Sequence, residues 1–302
     1  MTVPVISITD LSDNVDLLMG FGLPEVDLRA VILDGPRDPG LAVVTRLNAI
    51  FGRNVPVAWG PAGRMRDSND RMYDAPPSQQ RGIDLLVHAL ADSPEPVHLL
   101  SFGSARPMAV AFNRAPEIFR EKVARIHLSA VVQDSIALAR IVGSGLPLSL
   151  YPCPNTVWTL PDLQWVESLH PWLRRHLAAC SGSLEVLDMD APADAMADFY
   201  DRRHSVRETA VWMEVAGQVL VRRTDGTHEI VAAPDVASGD KVVHTEQLAC
   251  VASIDATGQY SFELGGDGRT TVFVRDDPFE YEEAMIEAMP ALYRSFQPSL
   301  LS

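Results

Sequence analysis

The sequence predicts an α/β protein with an open, mostly parallel sheet covered by helices on both faces, followed by a β-rich extension and a closing helix. Two observations predict this class. From residue 1 to about residue 150, short apolar runs alternate with stretches of helical periodicity, as in parallel sheets with helical crossovers. The apolar runs are continuous rather than alternating, which is typical of strands buried on both faces.

Strands and helices alternate regularly along this first half. The predicted strands cover residues 3–8, 28–33, 97–101, 125–128 and 146–151. The predicted helices cover residues 16–22, 41–51, 79–91, 106–112 and 134–142. Sheets of this kind bind ligands at the carboxyl ends of their strands. We therefore expect the functional loops directly after the first four predicted strands.

The middle third of the chain is expected to form a helical layer against the sheet. Residues 153–204 consist of short segments of helical character broken by prolines, and they include Trp158, Trp165 and Trp172. Tryptophans in such segments more often anchor a core or its rim than stack on a substrate. We therefore assign these three residues to packing.

The last third changes to short strand-like runs separated by turns rich in Gly, Asp and Ser. The final stretch, 278–296, has the apolar spacing of an amphipathic helix that packs back on the main domain. These changes divide the chain into three parts. They are an α/β domain over 1–215, a β-rich extension over 216–275 and a C-terminal helix over 276–302.

Composition narrows the classes of partner and compartment. A formal net charge of -15 disfavours nucleic acid and anionic membranes, since both attract positive charge. Cys153, Cys180 and Cys250 are widely spaced, which disfavours a zinc site or a disulfide framework. The sequence has no signal-peptide pattern and no apolar run long enough to span a membrane. We expect a cytoplasmic protein and a homo-oligomer.

The most informative stretch lies where the first predicted strand ends. Residues 5–8 are mostly apolar, and Asp10, Asp13 and Asp16 follow them. Clustered carboxylates repel one another unless a hard cation such as calcium or magnesium binds them. In the alternative interpretation, Asp13 caps the helix, Asp10 closes a turn and Asp16 is a solvated acid of the first helical turn. The local sequence leaves both interpretations open.

Familiar catalytic motifs give no further candidate. The sequence has no phosphate-binding loop, dinucleotide-binding glycine motif, zinc-protease motif or serine-hydrolase elbow. Gly103 and Ser104 lie between a predicted strand and a predicted helix, where their amides could bind an anion or simply form the turn. The acidic strand end therefore remains the principal candidate site.

Residues 9–18 resemble the four-aspartate signature that opens the nucleoside hydrolase superfamily. In a gapless alignment the four aspartates of the signature correspond to Asp10, Ser12, Asp16 and Leu17. A two-residue insertion would instead place Asp10 at the second aspartate, and the register is open. Later segments that are similar to the family in order and spacing are 46–49, 52–60, 96–103, 113–117, 125–129 and 145–148. The resemblance extends over about residues 3–215.

The resemblance implies an N-glycosidase in which calcium orients a ribose and a water. In the register with the insertion, Asp10 would bind the metal and act as the general base, and Asp16 would bind a ribose hydroxyl. In the gapless register, Ser12 replaces the base and Asp10 would have only a supporting role. The implied metal ligands are Asp10, Asp13, Asp16, the carbonyl of Ser129, and Glu208. The implied substrate contacts are Asn14, Asp16 and Asn155. The substrate would be a small-molecule nucleoside or a related glycoside.

The sequence departs from the family at several of these positions. Leu17 replaces a metal-binding aspartate, and an alkyl group cannot coordinate calcium, so the calcium site is either altered or lost in this chain. Arg207 replaces a histidine, Pro107 replaces a polar residue, and the loop after Ser129 is short. We favour a ribosyl N-glycosidase with altered substrate or metal use. The alternative is a non-catalytic homologue that binds a ligand or a protein partner.

Overall fold

The computed structural model describes residues 2–10, 14–36, 40–129, 133–152, 158–160, 164–180, 204–255 and 259–299. Its main feature is a nine-stranded sheet with strand order β13-β12-β14-β6-β5-β4-β1-β2-β3. The seven strands from β14 to β3 run parallel, and β12 and β13 are antiparallel additions at one edge. The predicted fold class is confirmed.

The strands are short, and most belong to the main sheet. They are β1 Val3–Thr9, β2 Val26–Leu33, β3 Val57–Trp59, β4 Val97–Ser101, β5 Val123–Ser129, β6 Leu148–Tyr151, β7 Trp158–Leu160, β8 His204–Val206, β9 Gln218–Arg222, β10 His228–Ala232, β11 Lys241–Val242, β12 Thr245–Ile254, β13 Tyr260–Leu264 and β14 Thr270–Arg275. Strands β9, β10 and β11 form a separate three-stranded sheet, and β7 pairs with β8.

Helices cover both faces of the sheet. They are α1 Asn14–Gly22, α2 Gly40–Phe51, α3 Pro77–Ala91, α4 Arg106–Arg114, α5 Pro116–Lys122, α6 Ser135–Val142, α7 Pro171–Cys180, α8 Thr209–Val215 and α9 Pro278–Ser295. The predicted helices of the first half are all present, whereas α5 was not predicted. This short helix begins at Pro116, two residues after α4 ends, so its periodicity was too brief to recognise.

Successive residues of the central strands face two different cores. On β1, Val5 packs with the cluster that includes helices α1, α2, α8 and α9, whereas Ile6 and Ile8 pack with the cluster of α3, α4 and α6. This follows from the two-residue period of a strand, which turns neighbouring side chains to opposite faces. The continuous apolar sequence of β1 therefore reflects burial on both sides.

The segment predicted as a β-rich extension is divided between two sheets. Strand β14 pairs in parallel with β6, and β12 and β13 follow it, so these three strands extend the main sheet. The remaining strands, β9 to β11, form the small antiparallel sheet. The predicted boundaries at residues 215 and 275 stay predictions.

The middle third differs in part from its expected helical character. Trp158 lies in strand β7, which pairs antiparallel with β8, because a partner strand far along the sequence supplies the backbone hydrogen bonds. Trp165 and Trp172 lie in a short 3-10 helix and in α7, respectively, and both pack against the α1-side core. Within the described ranges, no helix is long and apolar enough to cross a membrane.

Candidate active site

The loops after β1, β2 and β4 meet at the carboxyl edge of the sheet. The amide of Asp34 donates to the carbonyl of Thr9 at 2.8 Å, and the amide of Phe102 donates to the carbonyl of Ile8 at 2.8 Å. Gly103 lies between the loops, where an added Cβ would be 3.0 Å from the Asp10 nitrogen and 3.2 Å from the Asp34 Cβ. Glycine is therefore needed for the loops to approach this closely.

Asp10 is half-buried at the end of β1 and accepts a hydrogen bond from Gln133. The Nε2 atom of Gln133 lies 2.8 Å from the Oδ2 atom of Asp10. Gln133 follows β5, so this contact links the loop after β5 to the end of β1. In the sheet, β4 alone lies between these two strands. A neutral donor holds the Asp10 side chain in position while leaving it able to accept further hydrogen bonds.

A buried arginine connects three strand ends beside Asp10. Arg106, the first residue of α4, donates from its Nε to Asp134 at 3.0 Å and from its Nη1 to Asp34 at 3.3 Å. Its Nη1 also donates to the carbonyls of Pro61 at 2.7 Å and Ala62 at 3.1 Å. All three charged side chains are buried, so each depends on the others for charge compensation.

The turn formed by Gly103 and Ser104 before α4 binds a carboxylate of the protein itself, that of Asp34. The amide of Ser104 donates to the Oδ2 atom of Asp34 at 2.9 Å. Asp134 has a similar structural role, because its Oδ1 accepts from the amide of Ala137 and its Oδ2 from the amide of Met65. These carboxylates therefore fix the loops around the cleft rather than project from them.

Asp16 lies on α1 and caps the start of helix α8, which is far from it in the sequence. Its Oδ2 accepts from the amides of Arg207 at 3.2 Å and Glu208 at 2.7 Å, and its Oδ1 accepts from the hydroxyl of Thr209 at 2.6 Å. The side chain has no exposed surface, and this burial raises the pKa of Asp16 to about 6. Asp16 thus contacts the backbone amide of Glu208, and the shared metal site predicted for Asp16 and the Glu208 side chain stays a prediction.

Other predicted site residues lie at the expected elements, and two lie outside the described residues. Ser129 ends β5 and Glu208 precedes α8, and both are buried. Leu17 is buried in the apolar core on the α1 side of the sheet. Asp13 and Asn155 lie outside the described residues, and Asn14 begins α1 without a described side chain.

The described carboxylates do not fit the calcium site that the family resemblance implies. Within the part of the chain that the structure describes, no three His, Cys, Asp or Glu side chains are grouped so that they could hold a metal ion. Leu17 packs among apolar side chains, and Asp16 accepts three hydrogen bonds at the start of α8. A calcium ion prefers six to eight oxygen ligands, which this set does not provide.

Sequence reasoning missed Asp34, Arg106, Gln133 and Asp134 as a group. Each follows a predicted strand, and those loops were correctly expected at the edge that binds ligands. A buried arginine between two aspartates cannot be recognised from spacing, because the contacts join residues as far apart as 72 positions. The one local signal for Asp34 was its position directly after a predicted buried strand.

Comparison with known proteins relates this chain to nucleoside hydrolases. No family model matches the chain. The pyrimidine-specific ribonucleoside hydrolase RihA of Citrobacter koseri is 29% identical over 134 residues, which cover 38% of this chain. The match covers 43% of that relative, so this chain spans less than half of the relative's length.

Solved structures agree over nearly the whole chain. A plant nucleoside hydrolase, the PpNRh1 enzyme, has a TM-score of 0.59 at 16% identity and covers 96% of this chain and 100% of its own. The inosine-uridine preferring nucleoside hydrolase from Bacillus anthracis has a TM-score of 0.56 at 16% identity, with 98% and 100% covered. The type III effector protein XopQ, complexed with adenosine diphosphate ribose, has a TM-score of 0.53 at 12% identity, with 98% and 94% covered. The chain therefore has the nucleoside hydrolase fold.

Proposed function

We propose that this chain is an N-glycosidase that hydrolyses a ribosyl N-glycosidic bond, with Asp10 as the general base. The observation that carries the proposal is the position of Asp10. It is half-buried at the carboxyl end of β1, where open parallel sheets bind ligands, and Gln133 holds its side chain. The hydrolase relatives described above support a nucleoside or a related glycoside as the substrate class.

The proposed chemistry uses Asp10 and a water. Asp10 takes a proton from water while the water oxygen forms a bond to the anomeric carbon of the ribose. The carbon–nitrogen bond breaks, and the base leaves with the electron pair and takes a proton from solvent. An oxocarbenium-like transition state carries positive charge, so a neighbouring carboxylate stabilises it. Asn14 and Asn155 remain proposed contacts to the substrate, and the carbonyl of Ser129 remains a proposed metal ligand.

We derive no step that passes through calcium, since the described carboxylates do not form a ligand set. Asp13 is the predicted ligand that could change this, because it follows Asp10 closely in sequence and lies outside the described residues. We expect chelation of divalent metals to leave the activity unchanged. A loss of activity with EDTA and its recovery with calcium would instead support a metal site completed by Asp13.

The test measures release of ribose and free base from uridine and inosine. Asp10→Asn should lower the rate at least about 100-fold, because it removes the base and keeps the shape. Asp92→Asn is the matched control, since it removes the same charge from an exposed position after α3 and should leave the rate unchanged. Equal rates for Asp10→Asn and the original chain would reject Asp10 as the base.

The second candidate function is non-catalytic binding of a riboside. The observation that favours it is that Leu17 lies in the core and Asp16 caps α8, so two positions of the family's signature serve the fold. An effector protein complexed with adenosine diphosphate ribose is among the similar structures, which fits a binding role. Calorimetry would support this function if the chain binds a riboside or adenosine diphosphate ribose and releases no base.

A further inference from the structure

A second cavity lies away from the candidate active site. It has a volume of about 290 Å³ and is lined by residues of α8, the small β9–β11 sheet, the strands β12 and β14, and α9. Its apolar wall contains the buried side chains of Phe273 and Tyr281, together with Met213 and Val243. The size and the aromatic wall suit one small ring-shaped group.

The polar side of this cavity carries negative charge. Glu214 and Glu246 both line it, and none of the described residues that line it is Lys, Arg or His. Two basic side chains contact lining residues from outside the lining: His244 Nε2 is 3.6 Å from Glu246, and Arg275 packs on the ring of Tyr281. A ligand that enters the cavity would therefore meet two carboxylates and no Lys, Arg or His among the described residues that line it.

Glu214 is held in place by two donors. The hydroxyl of Tyr151 donates to its Oε2 atom at 2.6 Å, and the Nε2 atom of Gln247 donates to the same oxygen at 2.7 Å. Glu214 lies on the exposed side of α8, so the carboxylate is positioned by the protein yet remains reachable from the cavity. Both fixed donors approach one oxygen of the carboxylate, which leaves lone pairs for a ligand.

A buried chain of hydrogen bonds ends on this carboxylate and fixes its direction. His98 Nδ1 is 2.9 Å from His127 Nε2, and His127 Nδ1 is 3.2 Å from the hydroxyl of Tyr151. Because a carboxylate only accepts, the proton of Tyr151 points to Glu214, and each histidine donates to the next group along the chain. Burial lowers the pKa of both histidines, which keeps them neutral as this direction requires.

From these contacts we infer that the cavity binds a small organic cation, a protonated amine attached to a flat apolar group. The ammonium donates to the carboxylate of Glu214, and the ring packs against Phe273 and Tyr281. None of the described residues that line this cavity belongs to the site at Asp10; α8 carries Glu214 in its last turn, and Asp16 binds its first turn.

The test uses benzylammonium, with benzyl alcohol as the neutral compound of the same shape. Binding to the full chain is measured by calorimetry and by NMR shifts of the Gln247 side-chain amide. We expect benzylammonium to bind and Glu214→Gln to weaken it about tenfold, because a charge-assisted hydrogen bond becomes a neutral one. Glu283→Gln, which removes the same charge from an exposed position on α9, should change the affinity less than about twofold.

Several outcomes would overturn the inference. They are equal binding of benzyl alcohol and benzylammonium, unchanged affinity in Glu214→Gln, or no binding of benzylammonium at millimolar concentration. If Glu214→Gln does not fold, Glu246→Gln replaces it, since that variant removes the other carboxylate that lines the cavity. Its affinity for benzylammonium should fall, and an unchanged affinity together with unmoved Gln247 signals would reject the site.

Discussion

Two aspartates six positions apart have different environments, and those environments separate their roles. Asp10 is half-buried at the cleft and accepts from a side-chain amide, whereas Asp16 has no exposed surface and caps α8. A carboxylate that is surrounded by backbone donors at a helix start stabilises that helix. At the scale of single residues, the acidic cluster is therefore partly structural.

Leu17 provides the first prediction at this scale. We expect Leu17→Asp to lower the free energy of unfolding by about 3 to 5 kcal/mol, because it places an uncompensated charge in an apolar core. Leu17→Met, which nearly conserves volume, should cost less than about 1.5 kcal/mol. Urea unfolding measures both, and a stable Leu17→Asp that calcium stabilises further would instead indicate a metal site at this position.

Asp16 provides a prediction of pH dependence. Its pKa is about 6 in the folded chain against 3.8 for the ordinary group, so the folded chain keeps a proton that the unfolded chain has released. The associated stability is fully present below pH 3.8 and is lost as pH rises through 6, by about 3 kcal/mol in total. Asp16→Asn should lack this pH-dependent part of the free energy of unfolding.

The measurement is urea unfolding of both proteins between pH 4 and pH 7.5. The difference in unfolding free energy between the original chain and Asp16→Asn should shift by most of this amount over that range, about 2.4 kcal/mol. Parallel pH curves for the two proteins would contradict the role given to burial of Asp16.

At the scale of elements, close contact between helices and strand ends shapes the cleft. Helix α3 passes directly over the end of β3, because Gly82 has no side chain. A Cβ there would lie 2.4 Å from the carbonyl oxygen of Trp59 and 2.6 Å from the nitrogen of Gly60. Gly60 in turn donates to the carbonyl of Leu33, so α3 also supports the end of β2.

We expect Gly82→Ala to destabilise the protein by about 1 to 3 kcal/mol through overpacking. Helix propensity alone would predict the opposite, a gain of about 1 kcal/mol. Thermal unfolding followed by circular dichroism measures the change. Ser78→Ala, on the exposed side of the same helix, is the control and should change stability by less than about 0.5 kcal/mol. A stabilised Gly82→Ala would mean that α3 lies farther from β3.

At the scale of the whole molecule, the C-terminal third completes the α/β sheet. Strand β14 pairs with β6, and α9 buries Tyr281, Met285 and Tyr293 against the core that also contains Leu17. Removing this third would leave the β6 edge unpaired and one sheet face partly uncovered. We therefore expect the predicted domain over 1–215 to depend on residues outside it. The expected homo-oligomer stays a prediction.

We predict that a fragment of residues 1–215 does not fold cooperatively. It should bind the dye ANS and show a broad urea transition, because exposed apolar surface and an open sheet edge remain. A fragment of residues 1–299 is the control and should unfold in one sharp transition. A sharp transition in the fragment 1–215 would show instead that the boundary at residue 215 separates an autonomous domain.

The sequence alone determined the strand and helix order of the first half, the fold class and the position of the Asp10 loop. It could do so because burial on two faces and helical periodicity are local patterns. Only the tertiary structure decided that Arg106 joins Asp34 and Asp134, and that Asp16 caps α8. It also decided that β14 completes the main sheet. These contacts join residues distant in sequence, and the energy of a buried charge depends on which partners the fold brings to it.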